Sequence, residues 1–303
     1  MKRAVSVSLG TSRRNFTVRL ELFGQEIEVR RIGCDGDLRR LKAHLRELDG
    51  RVDAIGLGGM NFAYRVGNRC FPVPQAQAVR CLVRETPLVD GSLLKDTLER
   101  WVVVYLEEER GFRWAGTPVL VASVLDRFGL AEEMYRRGAR VLAGDLFFAL
   151  HLPGPFLSLP RFSGLARLLL PGIRWVPLTW IYPLGAAQNS AGRIGRGLPP
   201  VAVLAGDLHL VLHRLPADLR GRVVLVNSLW PEEERLLRER GAAGIVTTMP
   251  AVGGYSWASN VWEAVLTALW GEELRQLTVP SLAARLVAAG LVPKVEGLHE
   301  VHR

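Results

Sequence analysis

Apolar and polar residues alternate with period two over residues 16–23 and again over 27–32, on either side of Gly24-Gln25. That period puts one face of a strand in a core and the other in water, so the pair predicts a hairpin turning at 24–25. A strand over 3–9 precedes it. The period then changes: Leu38, Leu41, Leu45 and Leu48 recur at helical spacing behind Asp35 and Asp37, which can cap a helix start. Residues 52–57 read as a buried strand running into Gly58-Gly59-Met60-Asn61. A two-stranded excursion around Gly67-Asn68, a helix over about 75–84 and a brief strand at 86–89 follow. Asp90-Gly91-Ser92 then opens a long amphipathic helix ending near Glu109.

Past the turn-rich residues 111–116 the pattern becomes an alternation of strands and helices. Strands are predicted at 119–122, 141–143, 201–205, 223–226 and 245–248, with helices at 130–137, 232–240 and 261–270. Strands alternating with helices of this size imply a parallel sheet covered on both faces, with ligands bound beyond the carboxyl ends of its strands. The expected fold is therefore α/β: a smaller α/β domain over residues 1–112, then a Rossmann-like, doubly wound parallel-sheet domain over 113–303. The segment VLAGDL occurs twice, at 141–146 and 203–208, and sets Asp145 and Asp207 at the ends of two strands.

An apolar, proline-rich insertion over 146–192 interrupts this rhythm. It holds fifteen consecutive uncharged residues at 146–160 and eighteen at 175–192. A membrane-spanning helix needs about twenty mainly apolar residues, and prolines at 153, 155, 160, 171, 177 and 183 break the runs. The insertion is expected to pack over a site, a domain interface or a second copy in a homo-oligomer, with a membrane-surface role as the alternative.

Charge changes this picture little. The chain carries a formal net charge of +9 from 35 Arg and 4 Lys against 30 acidic residues. The arginines are spread along the whole length and interleaved with Glu, which reads as a compositional bias and not as a specific nucleic-acid surface. Such a surface still draws anionic ligands. Three cysteines without C-x-x-C spacing suit thiols in a reducing compartment. With no apolar leader in the opening residues, the expected location is cytoplasmic.

Four constellations could carry chemistry. Ser123 to Gly129 joins a strand to a helix, and Asp145 follows Ser123 by 22 residues. A dinucleotide-binding unit has a similar spacing, roughly 20, between its phosphate turn and its ribose-binding acid. Ser123, Asp126, Gly129 and Asp145 are thus candidate cofactor contacts, and a carboxylate at 145 favours NAD over NADP. In a chain that otherwise uses arginine, Lys95 stands beside Asp90 at the expected interdomain cleft, where a lysine can exchange a proton and an arginine cannot. Gly59 and Asn61 form a tight turn suited to touching a substrate. Thr247 and Thr248 end a strand, and the Gly-rich loop behind them leads to Asn260; they form a candidate wall for the cofactor and the substrate. The histidines show no metal-binding spacing.

The order of these features resembles the shikimate/quinate dehydrogenases, and the chain as a whole looks like a prokaryotic group labelled quinate 5-dehydrogenase. Val89-Asp90-Gly91 stands where those enzymes carry an N-T-D-G segment with a catalytic aspartate, which implies Asp90 as its counterpart. Residues 132–145 match the family's helix and second strand, and TTMPAVG at 247–253 is like its T-P-x-G loop beside the nicotinamide. The chain departs from the family in the Gly-rich turn, replaced by Ser123 to Gly129, and in having no lysine between 43 and 94. The resemblance implies an NAD(P)-dependent oxidoreductase acting on a hydroxylated carboxylic acid such as quinate or shikimate, with Lys95 replacing the missing lysine. A non-catalytic or regulatory nucleotide- or metabolite-binding protein is the alternative, and a methyltransferase-like enzyme is a third.

Overall fold

The computed structural model describes residues 1–148, 152, 155–176 and 198–298. Early in the chain run β1 (Lys2–Ser8), β2 (Phe16–Leu22), β3 (Gln25–Gly33), β4 (Ala54–Gly58), a separate hairpin β5 (Ala63–Val66) and β6 (Arg69–Pro72), and β7 (Leu88–Val89). Five of them form a sheet in the order β2-β3-β1-β4-β7, parallel except at its edge strand β2. The expected hairpin is present, its turn one residue earlier. Phe23 and Gly24 both take left-handed φ, +52° and +72°. The ring of Phe23 lies 4.7 Å from that of Trp270, a contact that helps offset the cost of that backbone at a non-glycine residue. Asp37 caps the helix Leu38–Leu48 as expected, accepting from the amides of Arg39 and Arg40.

The second sheet contains β8 (Pro118–Val121), β9 (Arg140–Ala143), β10 (Leu157–Ser158), β11 (Val203–Gly206), β12 (Val223–Val226), β13 (Gly244–Val252), β14 (Tyr255–Ser256) and β15 (Pro293–Glu296). Its five inner strands, β9-β8-β11-β12-β13, are all parallel, and antiparallel strands finish the edges. β11 and β12 are buried along their whole length, which explains their unbroken apolar sequence. The order reverses between β8 and β11, and a sheet of this kind opens its crevice there, beyond the strand ends. The architecture is thus α/β, with a doubly wound parallel sheet following a smaller one.

Three differences from the sequence reading matter for the site. The expected strand at 245–248 continues to Val252, so Thr247 and Thr248 sit inside a strand and not at its end. The expected long helix breaks at Thr97 (φ −113°, ψ −71°) into Ser92–Asp96 and Leu98–Glu108, and the Thr97 hydroxyl donates to the carbonyl of Leu93 at 2.7 Å. The helix Ser259–Trp270 packs on β1 and β4 of the first sheet although it lies late in the chain. Glycines permit this approach: a Cβ at Gly56 would stand 2.3 Å from the Asn260 carbonyl oxygen, and one at Gly91 2.7 Å from the Asn260 amide. The first sheet's strands end at Val89 and the second's begin at Pro118, while the first sheet takes a covering helix from the second half.

The apolar insertion contributes the helix Leu159–Ile173, which buries Leu159, Phe162, Ala166 and Leu170. It packs on β9 and β10 and also on the β5–β6 hairpin, so it bridges both halves over the space between them. Residues 149–151, 153–154 and 177–197 of that region lie outside the described residues. Among the described residues, no helix is long and apolar enough to cross a membrane.

Candidate active-site cleft

A cleft of about 360 Å³ lies between the two sheets, beyond the carboxyl ends of their strands, with the helix Leu159–Ile173 along one side. Lys95 enters it from the short helix Ser92–Asp96, which is anchored by the buried Leu94. Its ammonium lies 2.7 Å from an Asp126 carboxylate oxygen and 2.8 Å from the Asn61 side-chain oxygen, and the Asn61 amide donates to the same Asp126 oxygen at 2.6 Å. The side chains of Lys95 and Asp126 are only 13% and 15% exposed. Burial would raise the Asp126 carboxyl, but the charges of Lys95 and Arg127 and the two hydrogen bonds hold it well below the usual carboxylate range. An ammonium has three donors; two are spent on Asp126 and Asn61, which leaves one for a ligand oxygen.

The start of the Lys95 helix is fixed from two sides. Asp90 accepts from the amides of Ser92 (3.0 Å) and Phe62 (2.6 Å), and Glu263 of the helix Ser259–Trp270 accepts from those of Leu93 and Leu94. Burial, then the Asp90 charge beside it, pushes the Glu263 carboxyl up to about 7. Asp90 lines the cleft as expected, but here it positions the Lys95 helix and does not pair with the lysine. Both of its oxygens are held by backbone amides, and Asp126 is the carboxylate that pairs with Lys95.

The turn at 123–129 is closed by its own protein. Asp145 stands at the end of β9 as expected, but one of its oxygens accepts from the Val124 amide at 2.9 Å. The other accepts from the Leu125 amide at 2.9 Å and the Ser123 hydroxyl at 3.3 Å. Burial pushes its carboxyl up to about 6, against the pull of those hydrogen bonds. Gly129 faces protein as well, since a Cβ there would stand 3.1 Å from the Lys95 carbonyl oxygen and 3.0 Å from Asp96. A dinucleotide needs free amides for its pyrophosphate and a free acid for its ribose. Here the acid fills the amides, so these residues as placed do not fit a dinucleotide in that position. Ser123, Asp126 and Asp145 do line the cleft, but Ser123 and Asp145 are engaged in this internal closure, Gly129 faces protein and Asp126 pairs with Lys95, which corrects their expected roles as cofactor contacts.

Arg127, the next residue, is buried and contacts the buried Glu99; its other end lies 3.4 Å from Asp207 at the end of β11. Thr248 donates to Glu99, and Thr247 donates to the Met249 carbonyl while accepting from the Lys294 amide. Both threonines are fully enclosed and line no part of the cleft, which corrects their expected cofactor role. Burial pushes Glu99 upward against the opposing charge of Arg127. Gly59, Asn61 and Asn260 do line the cleft. Asn260 spends its amide on the Ser6 hydroxyl at 2.7 Å.

Several cleft residues were not anticipated. Tyr64, on β5, points into it, with burial and then the charges of Asp126 and Asp145 raising its phenol. Arg14, Arg31 and His209 meet at another part of the lining. Their positions in the sequence gave no common spacing that could reveal this. Among the described residues, no cluster of three or more His, Cys, Asp or Glu could hold a metal ion.

The chain can now be set beside known proteins. It belongs to DUF8754, a family described as a domain of unknown function. That match covers residues 93–298, and a second domain of unknown function, DUF8753, matches residues 3–90. The two matches meet just ahead of the Lys95 helix, so the lysine and its partner Asp126 come from the DUF8754 part and Asn61 from the other. No curated protein matches the sequence. Similar solved structures include a hetero-hexameric glutamate dehydrogenase from Thermus thermophilus (16% identity, 96% of this chain and 76% of that one, TM-score 0.40). Another is GanP, a glucose-galactose binding protein from Geobacillus stearothermophilus (13%, 100% and 99%, TM-score 0.39). A third is an L-tryptophan dehydrogenase from Nostoc punctiforme (13%, 94% and 77%, TM-score 0.35). Scores this low transfer neither a ligand nor an activity.

Proposed function

We propose that the protein is an enzyme acting at a hydroxyl-bearing carbon of a small hydroxylated carboxylic acid, of the quinate or shikimate kind. The observation that supports it is the Lys95–Asp126–Asn61 cluster in the cleft. Asp126 and Asn61 fix the Lys95 nitrogen and leave it one donor for a ligand oxygen. Proton exchange between that nitrogen and a substrate hydroxyl is the step for which a lysine is suited. This is the proton-transfer half of the oxidoreductase reaction implied by the resemblance to quinate and shikimate dehydrogenases. The half that would need NAD or NADP has no support from the turn at 123–129 as it stands.

The test is to incubate the purified chain with quinate or shikimate and either NAD⁺ or NADP⁺, following nucleotide reduction and the fate of the acid. Turnover reduced at least a hundredfold in Lys95→Ala, with the variant still folded, is the expected result; such losses are in the range of about 10²–10⁴ for a proton-transfer group. Normal turnover in Lys95→Ala would remove the lysine from the chemistry. A second reading, a non-catalytic metabolite-binding protein, is favoured by the hold of Asp145 on the turn amides. Saturable binding of the acid with no chemical change under any of these conditions would select it.

A further inference from the structure

Another charged part of the cleft gathers Arg14, Arg31 and His209, with Asp207 near the imidazole but turned to Arg127. The Arg14 guanidinium contacts Glu233 and lies 3.2 Å from the His209 ring nitrogen. Burial, with Arg14 beside it, pushes the His209 imidazole down and keeps it neutral, so it adds no charge of either sign. Glu233 also accepts from the Trp230 amide at 2.8 Å, as the cap of the helix Pro231–Glu239. Glu233 thus pairs with Arg14 and with its own helix cap.

Arg31 is the one left over. It stands on β3 opposite Ser6 and Phe16, and its Nη1 donates to the Thr11 carbonyl at 2.9 Å. Among the described residues no carboxylate comes within ion-pair distance of it. Asp35 acts on it only from further away, its oxygens being engaged by the Ser12 amide and lying near Arg40. Burial, then the neighbouring Arg14, lowers the Arg31 guanidinium to about 10. A half-buried cation beside a second one is costly by itself, and an incoming anion offsets that cost. The fork of donors on a guanidinium matches the two oxygens of a carboxylate or phosphate. The cleft, at about 360 Å³, is within the range of small-ligand pockets, about 300–1,000 Å³.

We propose that Arg31, backed by Arg14, is the seat for the anionic group of a small organic ligand, carboxylate or phosphate, in this cleft. In the proposed function that group is the carboxylate of the acid whose hydroxyl meets Lys95; the seat itself does not depend on that reaction.

The experiment is a calorimetric titration of the full chain with lactate, malate, quinate, shikimate and inorganic phosphate, each alone, and with quinate methyl ester as the neutral counterpart. The variants are Arg31→Gln and Arg31→Lys, with thermal unfolding as the check on folding. Wild type is expected to bind at least one anion. Arg31→Gln should weaken that binding about ten- to a hundredfold, the loss of a charged hydrogen-bonded pair. Arg31→Lys should fall between, having the charge without the fork, and the ester should bind wild type and Arg31→Gln alike. Because Arg31→Gln removes an uncompensated cation, its Tm should equal or exceed that of wild type. Carboxylates outcompeting phosphate, or the reverse, identifies the anion. Binding of the acid by Arg31→Gln within twofold of wild type would overturn the proposal, as would no binding of any of these anions by wild type up to about 10 mM. Arg31-dependent binding without turnover would keep the seat and discard the proposed reaction.

Discussion

The same six residues, VLAGDL, close two parallel strands of one sheet, and their aspartates end up in different situations. Asp207 caps its own helix, accepting from the His209 and Leu210 amides, and its other oxygen faces Arg127 and the Asn227 side-chain amide. Asp145 instead caps the neighbouring turn through Val124 and Leu125. The difference comes from what faces each strand end. At β11 the sheet order reverses and a cation stands across the crevice. At β9 the facing groups are the Val124 and Leu125 amides, which attract a carboxylate as readily as they would a phosphate. An identical local sequence therefore produces an interelement ion pair in one place and an internally filled anion site in the other.

Removing the cation should have the largest effect on this contrast. Arg127→Met would leave Glu99 and Asp207 enclosed without their counter-charge, a loss of about 3–5 kcal/mol, readable as a lower urea midpoint. Asp145→Ala should cost less and should depend on pH. The folded value of Asp145, about 6, lies above its ordinary 3.8. The stabilisation from the protonated form is thus fully present below about pH 4 and lost as pH rises through 6. The span amounts to up to roughly 3 kcal/mol. The alanine variant lacks that loss, so the cost of the substitution should be greater at pH 4 than at pH 7.5. Equal costs at the two pH values would mean that this carboxylate titrates normally.

Much of the fold was legible because its signals are local. Period two at 16–32, period 3.6 at 38–48 and the strand–helix alternation after 117 each report which face of an element meets a core, and each became the expected element. The end of β13 was less legible: proline and glycine after Thr248 suggested a stop, yet edge pairing with β14 and β15 carries the strand on to Val252. The placement of the helix Ser259–Trp270 against the first sheet depends on Gly56 and Gly91, whose role appears only when distant backbone arrives.

The site was legible in part. Lys95 stood out because lysine is rare in this chain, and Asn61 by its turn. Their partner Asp126 was visible but assigned to a cofactor, since the sequence cannot tell whether a strand-end acid faces a ligand or the protein. Arg14, Arg31 and His209 come together from three separate elements, and in a chain with 35 arginines nothing singled out two of them.

Asp145 already occupies the turn amides that a phosphate would use, so a ligand's anion has to be held elsewhere in the cleft. Amide NMR of the isotope-labelled chain tests it directly, following the Val124 and Leu125 backbone signals as NAD⁺ or NADP⁺ is added to millimolar concentration. The expected result is that neither signal moves for the wild type, while both respond to Asp145→Ala. Saturable shifts of Val124 and Leu125 in the wild type on adding either dinucleotide, lost in the presence of excess unlabelled competitor nucleotide, would contradict the account.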